Sequence, residues 1–110
     1  MPSEKLPPEG GRLDLKSAAE FVRGGIVSKE LLETDELEVD LFCLSTGQAL
    51  SEHTSTMDAL LYVMGGRGKI MIGEMSFVAE EGGLFYFPAN VPHSVSSEDD
   101  LVFLLTLAKT

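Results

Sequence analysis

The sequence has no tryptophan, one cysteine and only two histidines, and it sets eight basic residues against eighteen acidic ones. Each scarcity excludes something. The single cysteine, Cys43, cannot form an internal disulfide, which fits a reducing compartment. Its neighbours in Leu41-Phe42-Cys43-Leu44 mark it as a small buried hydrophobe rather than a nucleophile. A formal charge of −10 repels phosphate backbones and anionic lipid, so no nucleic acid and no membrane surface is expected as a partner. Apolar runs such as Leu101 to Leu105 are far too short to span a bilayer. The first residues, MPSEKLPPEGGRL, carry no apolar stretch after their positive charges and do not read as a secretory signal. The expectation is a soluble, cytoplasmic protein.

What is present is enough for one domain: 110 residues, 44% of them hydrophobic, which can bury a core without a disulfide or metal staple. Residues 1–25 read as an N-terminal arm with one short helix, and residues 26–110 as a barrel. Three of the five prolines lie in the first twelve residues. The helix is expected over Ser17-Ala-Ala-Glu20-Phe21-Val22, with Ser17 and Glu20 three apart as a capping box and Gly24-Gly25 as its stop. From Ile26 onward the period is two. In Glu36-Leu37-Glu38-Val39-Asp40-Leu41 charges alternate with aliphatics, which predicts a strand with its carboxylates on the wet face and its aliphatics on the core.

Further strands are expected at Ala49 to His53, Ala59 to Met64, Lys69 to Ile72, Met75 to Ala79, Leu84 to Phe87, Ser94 to Ser96 and Leu101 to Ala108, separated by Gly-, Pro- and Asp-rich turns. Many short strands so spaced predict an all-β sandwich or barrel. Gly65-Gly66-Arg67-Gly68 reads as a hairpin turn with Arg67 in solvent, and Glu98-Asp99-Asp100 as a wet turn. Leu84 to Phe87 and Leu101 to Leu105 are apolar on both faces, so something covers the outside. A second copy of the chain, giving a homodimer, is one cover; the N-terminal arm is the other.

Two segments hold the residues able to do chemistry: Gly47 to Gly65, containing His53 and Asp58, and Gly82 to Ser97, containing Pro88, Asn90 and His93. They resemble the paired motifs of the cupin superfamily, in the manner of small RmlC-like cupins with one conserved barrel. Gly47, His53 and Gly65 stand in register with the first motif, and Gly82, Pro88 and His93 with the second. Ser55 replaces the first motif's second histidine. Asp58 stands near its glutamate, one residue too close to His53. Asn90 replaces a glycine, and Ser97 replaces the closing asparagine. The resemblance, over residues 37–108, implies a double-stranded β-helix (a jelly-roll barrel) in which His53 and His93 point into a common lumen.

It also implies chemistry. With Asp58, the two histidines would form a facial set suited to a divalent transition metal such as Fe, Mn, Zn or Ni, next to a small polar or carboxylated ligand. Alternation from Asp58 puts Leu60 and Tyr62 on the Asp58 side, which makes them candidate pocket residues. Two alternatives stand beside the metal. One is a metal-free isomerase- or epimerase-like enzyme in which His93 is a catalytic acid or base. The other is a non-catalytic binding module.

Overall fold

Alternate side chains of the segment beginning at Ala59 set the architecture. Ala59, Leu61 and Val63 are buried while Leu60 and Tyr62 between them are exposed, the signature of a strand with one face on a core. The computed structural model describes residues 5–109. These contain one helical turn, α1 (Leu15–Ala18), and the strands β1 (Ile26–Glu33), β2 (Leu37–Leu44), β3 (Ala49–His53), β4 (Ala59–Gly65), β5 (Arg67–Ile72), β6 (Met75–Glu80), β7 (Leu84–Phe87), β8 (His93–Ser97) and β9 (Leu101–Ala108). Residues 1–4 and Thr110, the outer ends of the expected arm and barrel, lie outside the described residues.

The strands form two antiparallel sheets, ordered β1-β2-β9-β4-β7 and β3-β8-β5-β6. Together they make an all-β jelly roll. Leu61, Val63, Ile70, Phe87, Val95 and Phe103 fill the space between the sheets, and Phe103 stacks on Phe42 at 5.2 Å. Among the described residues no helix is long and apolar enough to cross a membrane.

Three local expectations change. The helix starts earlier than the capping box implied. Asp14 is its cap, accepting from the Lys16 amide at 3.2 Å and the Ser17 hydroxyl at 2.9 Å, and the turn is over by Ala19. Its register follows packing: Leu13, Leu15 and Ala18 lie on the outer face of the larger sheet against Leu31, Leu41 and Cys43. Glu20, past the turn, gives its amide to the Cys43 sulfur at 3.4 Å. Residues 65–68 are not a hairpin. β4 belongs to one sheet and β5 to the other, and Gly66 (φ 89°) carries the chain across the corner, where a Cβ would collide with the backbone of Asp100. Arg67 there pairs with Glu80 at 3.0 Å and Glu98 at 3.4 Å.

The third change concerns the faces of β2. Val39 and Leu41 pack under the N-terminal arm, outside the barrel. Glu38 and Asp40 therefore share the face of Phe42 and Leu44. Across the hairpin Glu30 stands opposite Asp40, and Glu33 opposite Glu38. Partial burial, a hydrogen bond with Glu38 and the charges of Glu38, Glu30 and Glu33 push the Asp40 carboxyl up to about 7. Lys5 and Lys109 bind the rim of this group, through Glu30 at 3.2 Å and Glu33 at 2.9 Å.

Candidate functional site

The two histidines occupy the last residue of β3 and the first residue of β8, where they are cross-strand partners. A bulge makes this possible. Leu50 packs on the core, so strict alternation would place Glu52 inward and His53 outward. The pairing shifts register between Leu50 and His53, which reverses the phase and brings His53 opposite His93. On β8, alternation from the buried Val95 puts His93 inside. His93 is 6% exposed and its ring stacks on Phe87 at 4.4 Å, whereas His53 is exposed.

The rings meet through their Nε2 atoms at 3.1 Å, with ring planes 71° apart. Each Nδ1 lies against a backbone carbonyl, that of Ser51 at 2.8 Å for His53 and that of Val91 at 3.1 Å for His93. A carbonyl oxygen only accepts, so both Nδ1 atoms carry hydrogen and, in neutral rings, both Nε2 atoms present lone pairs. Two acceptors so close repel unless a cation lies between them, either a proton or a metal ion. Ligand nitrogens at about 2.0–2.1 Å from one ion stand roughly 2.9 Å apart at octahedral angles and roughly 3.4 Å apart at tetrahedral ones. The observed separation lies inside that span, so the donor set fits a metal. Burial lowers the His93 pKa from its ordinary 6.5, as does the neighbouring His53, while the bond to the Val91 carbonyl opposes them; the balance favours the neutral ring.

Asp58 does not join the pair. Among the described residues only Glu30, Glu33 and Glu38 bring three acidic, His or Cys ligand atoms within 4.8 Å of one another. Asp58 Oδ1 instead accepts from the Ala89 amide at 2.8 Å and the Tyr86 hydroxyl at 3.1 Å. The reason is strand phase: Ala59 points into the core, so Asp58, Leu60 and Tyr62 face the other way. Leu60 and Asp58 line a shallow cleft of about 360 Å³ on that side, together with Tyr86 and Thr106, and Tyr62 borders the N-terminal arm. Donation to Asp58 raises the Tyr86 pKa.

The motif positions that departed from pattern have structural duties. The Ser55 hydroxyl accepts from the Met57 amide at 3.0 Å and its carbonyl from the Asn90 amide at 2.7 Å. Asn90 adopts the left-handed backbone (φ 67°) that a glycine would otherwise supply. Ser97, buried, accepts from the Gln48 amide at 3.0 Å and donates to the Ser45 carbonyl at 2.6 Å. Sequence reasoning missed Phe87 as the ring that holds His93, and Ser51 and Val91 as the carbonyls that set the tautomers; backbone carbonyls leave no mark in a sequence.

Known proteins resemble this chain in fold. The family model described as Cupin domain matches residues 40–107. A conserved protein of unknown function from Streptococcus pyogenes superposes with a TM-score of 0.85 at 24% identity, covering 100% of this chain and 96% of its own. A cupin superfamily protein from Desulfitobacterium hafniense DCB-2 gives 0.85 at 22% identity over 96% of each chain. A cupin 2 conserved barrel domain protein from Leptotrichia buccalis reaches 32% identity and a TM-score of 0.80, over 86% of this chain and 46% of that one. No curated protein matches.

Proposed function

The chain belongs to the Cupin domain family, and from that premise we propose that His53 and His93 hold a divalent transition metal and present it to a small polar or carboxylated molecule. One observation carries the reading: two Nε2 atoms 3.1 Å apart, each ring having committed its other nitrogen to a carbonyl. When bound, such a metal would supply Lewis acidity at positions left open by a two-ligand set. The protein's own part is to hold the rings. Ser51 and Val91 fix the tautomers, as partners of metal-bound histidines commonly do, and Phe87 keeps the His93 ring from turning.

The test is a titration of metal-free protein with Co(II), Zn(II), Ni(II), Mn(II) and Fe(II). One equivalent is expected, lost in His53→Ala and in His93→Ala. Less than about a tenth of an equivalent for every metal overturns the reading. A second reading has its own support, since a buried His93 with a depressed pKa is a neutral base at neutral pH. It expects turnover that a chelator leaves intact and His93→Ala removes. Ligand-induced thermal stabilisation without any product would instead mark a binding module.

The protein is further proposed to act as a cytoplasmic homodimer. The arm covers only part of the outer face of the larger sheet. Leu60, Tyr62, Leu84 and Tyr86 beside it remain 47, 43, 65 and 53% exposed, a contiguous apolar strip on neighbouring strands that a two-fold copy would bury.

A further inference from the structure

We infer that Asp58 is a positioning residue, a clasp that sets the distance between the two imidazoles while touching neither. The inference rests on the proposed role of the His pair. Chain connectivity creates the need for such a clasp. Residues 54–58 leave His53 and cross to β4 in the other sheet; residues 88–92 leave β7 and cross back to His93. Both loops lie at one end of the barrel, because β4 and β7 pair there through Ala59 and Phe87. His53 and His93 are therefore the last ordered pair before their chains part, and they follow a bulge. His93 is also held by its pairing with Ile72 on β5, so the looser member of the pair is His53, beyond the bulge on an edge strand.

Two links tie one loop to the other. The first is backbone to backbone, from the Asn90 amide to the Ser55 carbonyl at 2.7 Å. The second is the Asp58 carboxylate, which takes the Ala89 amide at 2.8 Å and is steadied by the Tyr86 hydroxyl at 3.1 Å. Ala89 and Asn90 form the turn whose left-handed residue aims the chain toward His93. Removing the side chain of Asp58 leaves the Ala89 amide without this acceptor and the loops with one cross-link. The shortened spacing between His53 and Asp58 suits this duty: the carboxylate sits at the strand entrance facing the opposite loop, on the side away from the imidazoles.

A metal ligand and a clasp respond differently to one substitution. Asp58→Asn keeps the oxygen that Ala89 and Tyr86 use but loses the charge; Asp58→Ala loses both. Co(II) titration of the full chain, with the d–d absorption recorded, should show affinity within about threefold of the parent for Asp58→Asn and about 10- to 100-fold weaker for Asp58→Ala. Thermal melts confirm that both variants are folded. Equal losses in the two variants, or no loss in Asp58→Ala, overturn the clasp. If the parent binds no metal, the proposed function falls but the clasp remains measurable in the metal-free protein. Nuclear Overhauser contacts between the His53 and His93 ring protons should persist in Asp58→Asn and vanish in Asp58→Ala, and their persistence in both variants overturns it.

Discussion

Asp40→Asn should stabilise the protein at pH 8 and do little at pH 4. In the folded chain Asp40 faces Glu30 across β1 and β2, with Glu38 and Glu33 alongside, and its carboxyl titrates at about 7. Unfolded, it titrates near 3.8. A carboxyl with a raised folded pKa binds its proton more tightly in the native state, so its contribution to stability falls as pH rises between those values and is gone above about 7. Converting the whole displacement gives a ceiling of about 4 kcal/mol. Asp40 is only part-buried, and solvent screening leaves about 1 kcal/mol. For a domain of this size that is about 4 °C in Tm. Asparagine keeps the shape of the protonated acid and its hydrogen bond to Glu38. Urea denaturation of parent and variant at pH 4, 6 and 8 reads the difference directly. An equal gain at pH 4 and pH 8 would assign the effect to packing, and a loss at pH 8 would refute the proposed repulsion.

Other expectations follow from the same geometry. Gly66→Ala should lower stability by about 3 kcal/mol, because it combines a left-handed backbone with a Cβ driven into Asp100; a stable variant by chemical denaturation would contradict the corner. Leu60→Asp combined with Leu84→Asp should halve the mass seen by light scattering, and a parent already monomeric at high concentration removes the dimer proposal. Metal affinity should weaken as pH falls through the lowered titration of His93, because the protonated ring has no lone pair to offer; affinity that stays constant into acid solution in a calorimetric titration would exclude His93 as a ligand.

Most strands were legible because one-sided burial imprints a period of two. Ala49 to His53, Leu84 to Phe87 and Leu101 to Ala108 form strands over the expected residues. The faces of β2 were not legible. Alternating carboxylates and aliphatics define two faces without saying which is covered, and here the cover is the arm, arriving from residues that carry no strand signal. The helix shifted for the same reason: contact with Leu31 and Leu41 outweighed a local capping pattern. His53 and His93 stood out because they are the only imidazoles and both fell on motif positions. The bulge that sets His53 opposite His93 has no glycine to announce it. The partners of Asp58 lie about thirty residues away, beyond any local pattern.

The two histidines are not equivalent, and this asymmetry separates their contributions. His93 is buried, stacked on Phe87 and lowered in pKa by its surroundings, so the fold has already fixed it. His53 ends an edge strand, is exposed, and is held mainly by the Ser51 carbonyl. Ordering an exposed side chain costs conformational entropy that a packed one has already lost on folding. In the proposed site a shared cation would thus be gripped by one rigid ligand and one adaptable one, with the protein's stability depending on only the first. His93→Ala should lose about 2 kcal/mol of folding stability through the void against Phe87, together with metal binding. His53→Ala should lose metal binding while its urea midpoint stays within about 0.5 kcal/mol of the parent. Equal destabilisation by the two substitutions in metal-free protein would mean that His53 is as much a part of the core as His93, with no division of labour between the two rings.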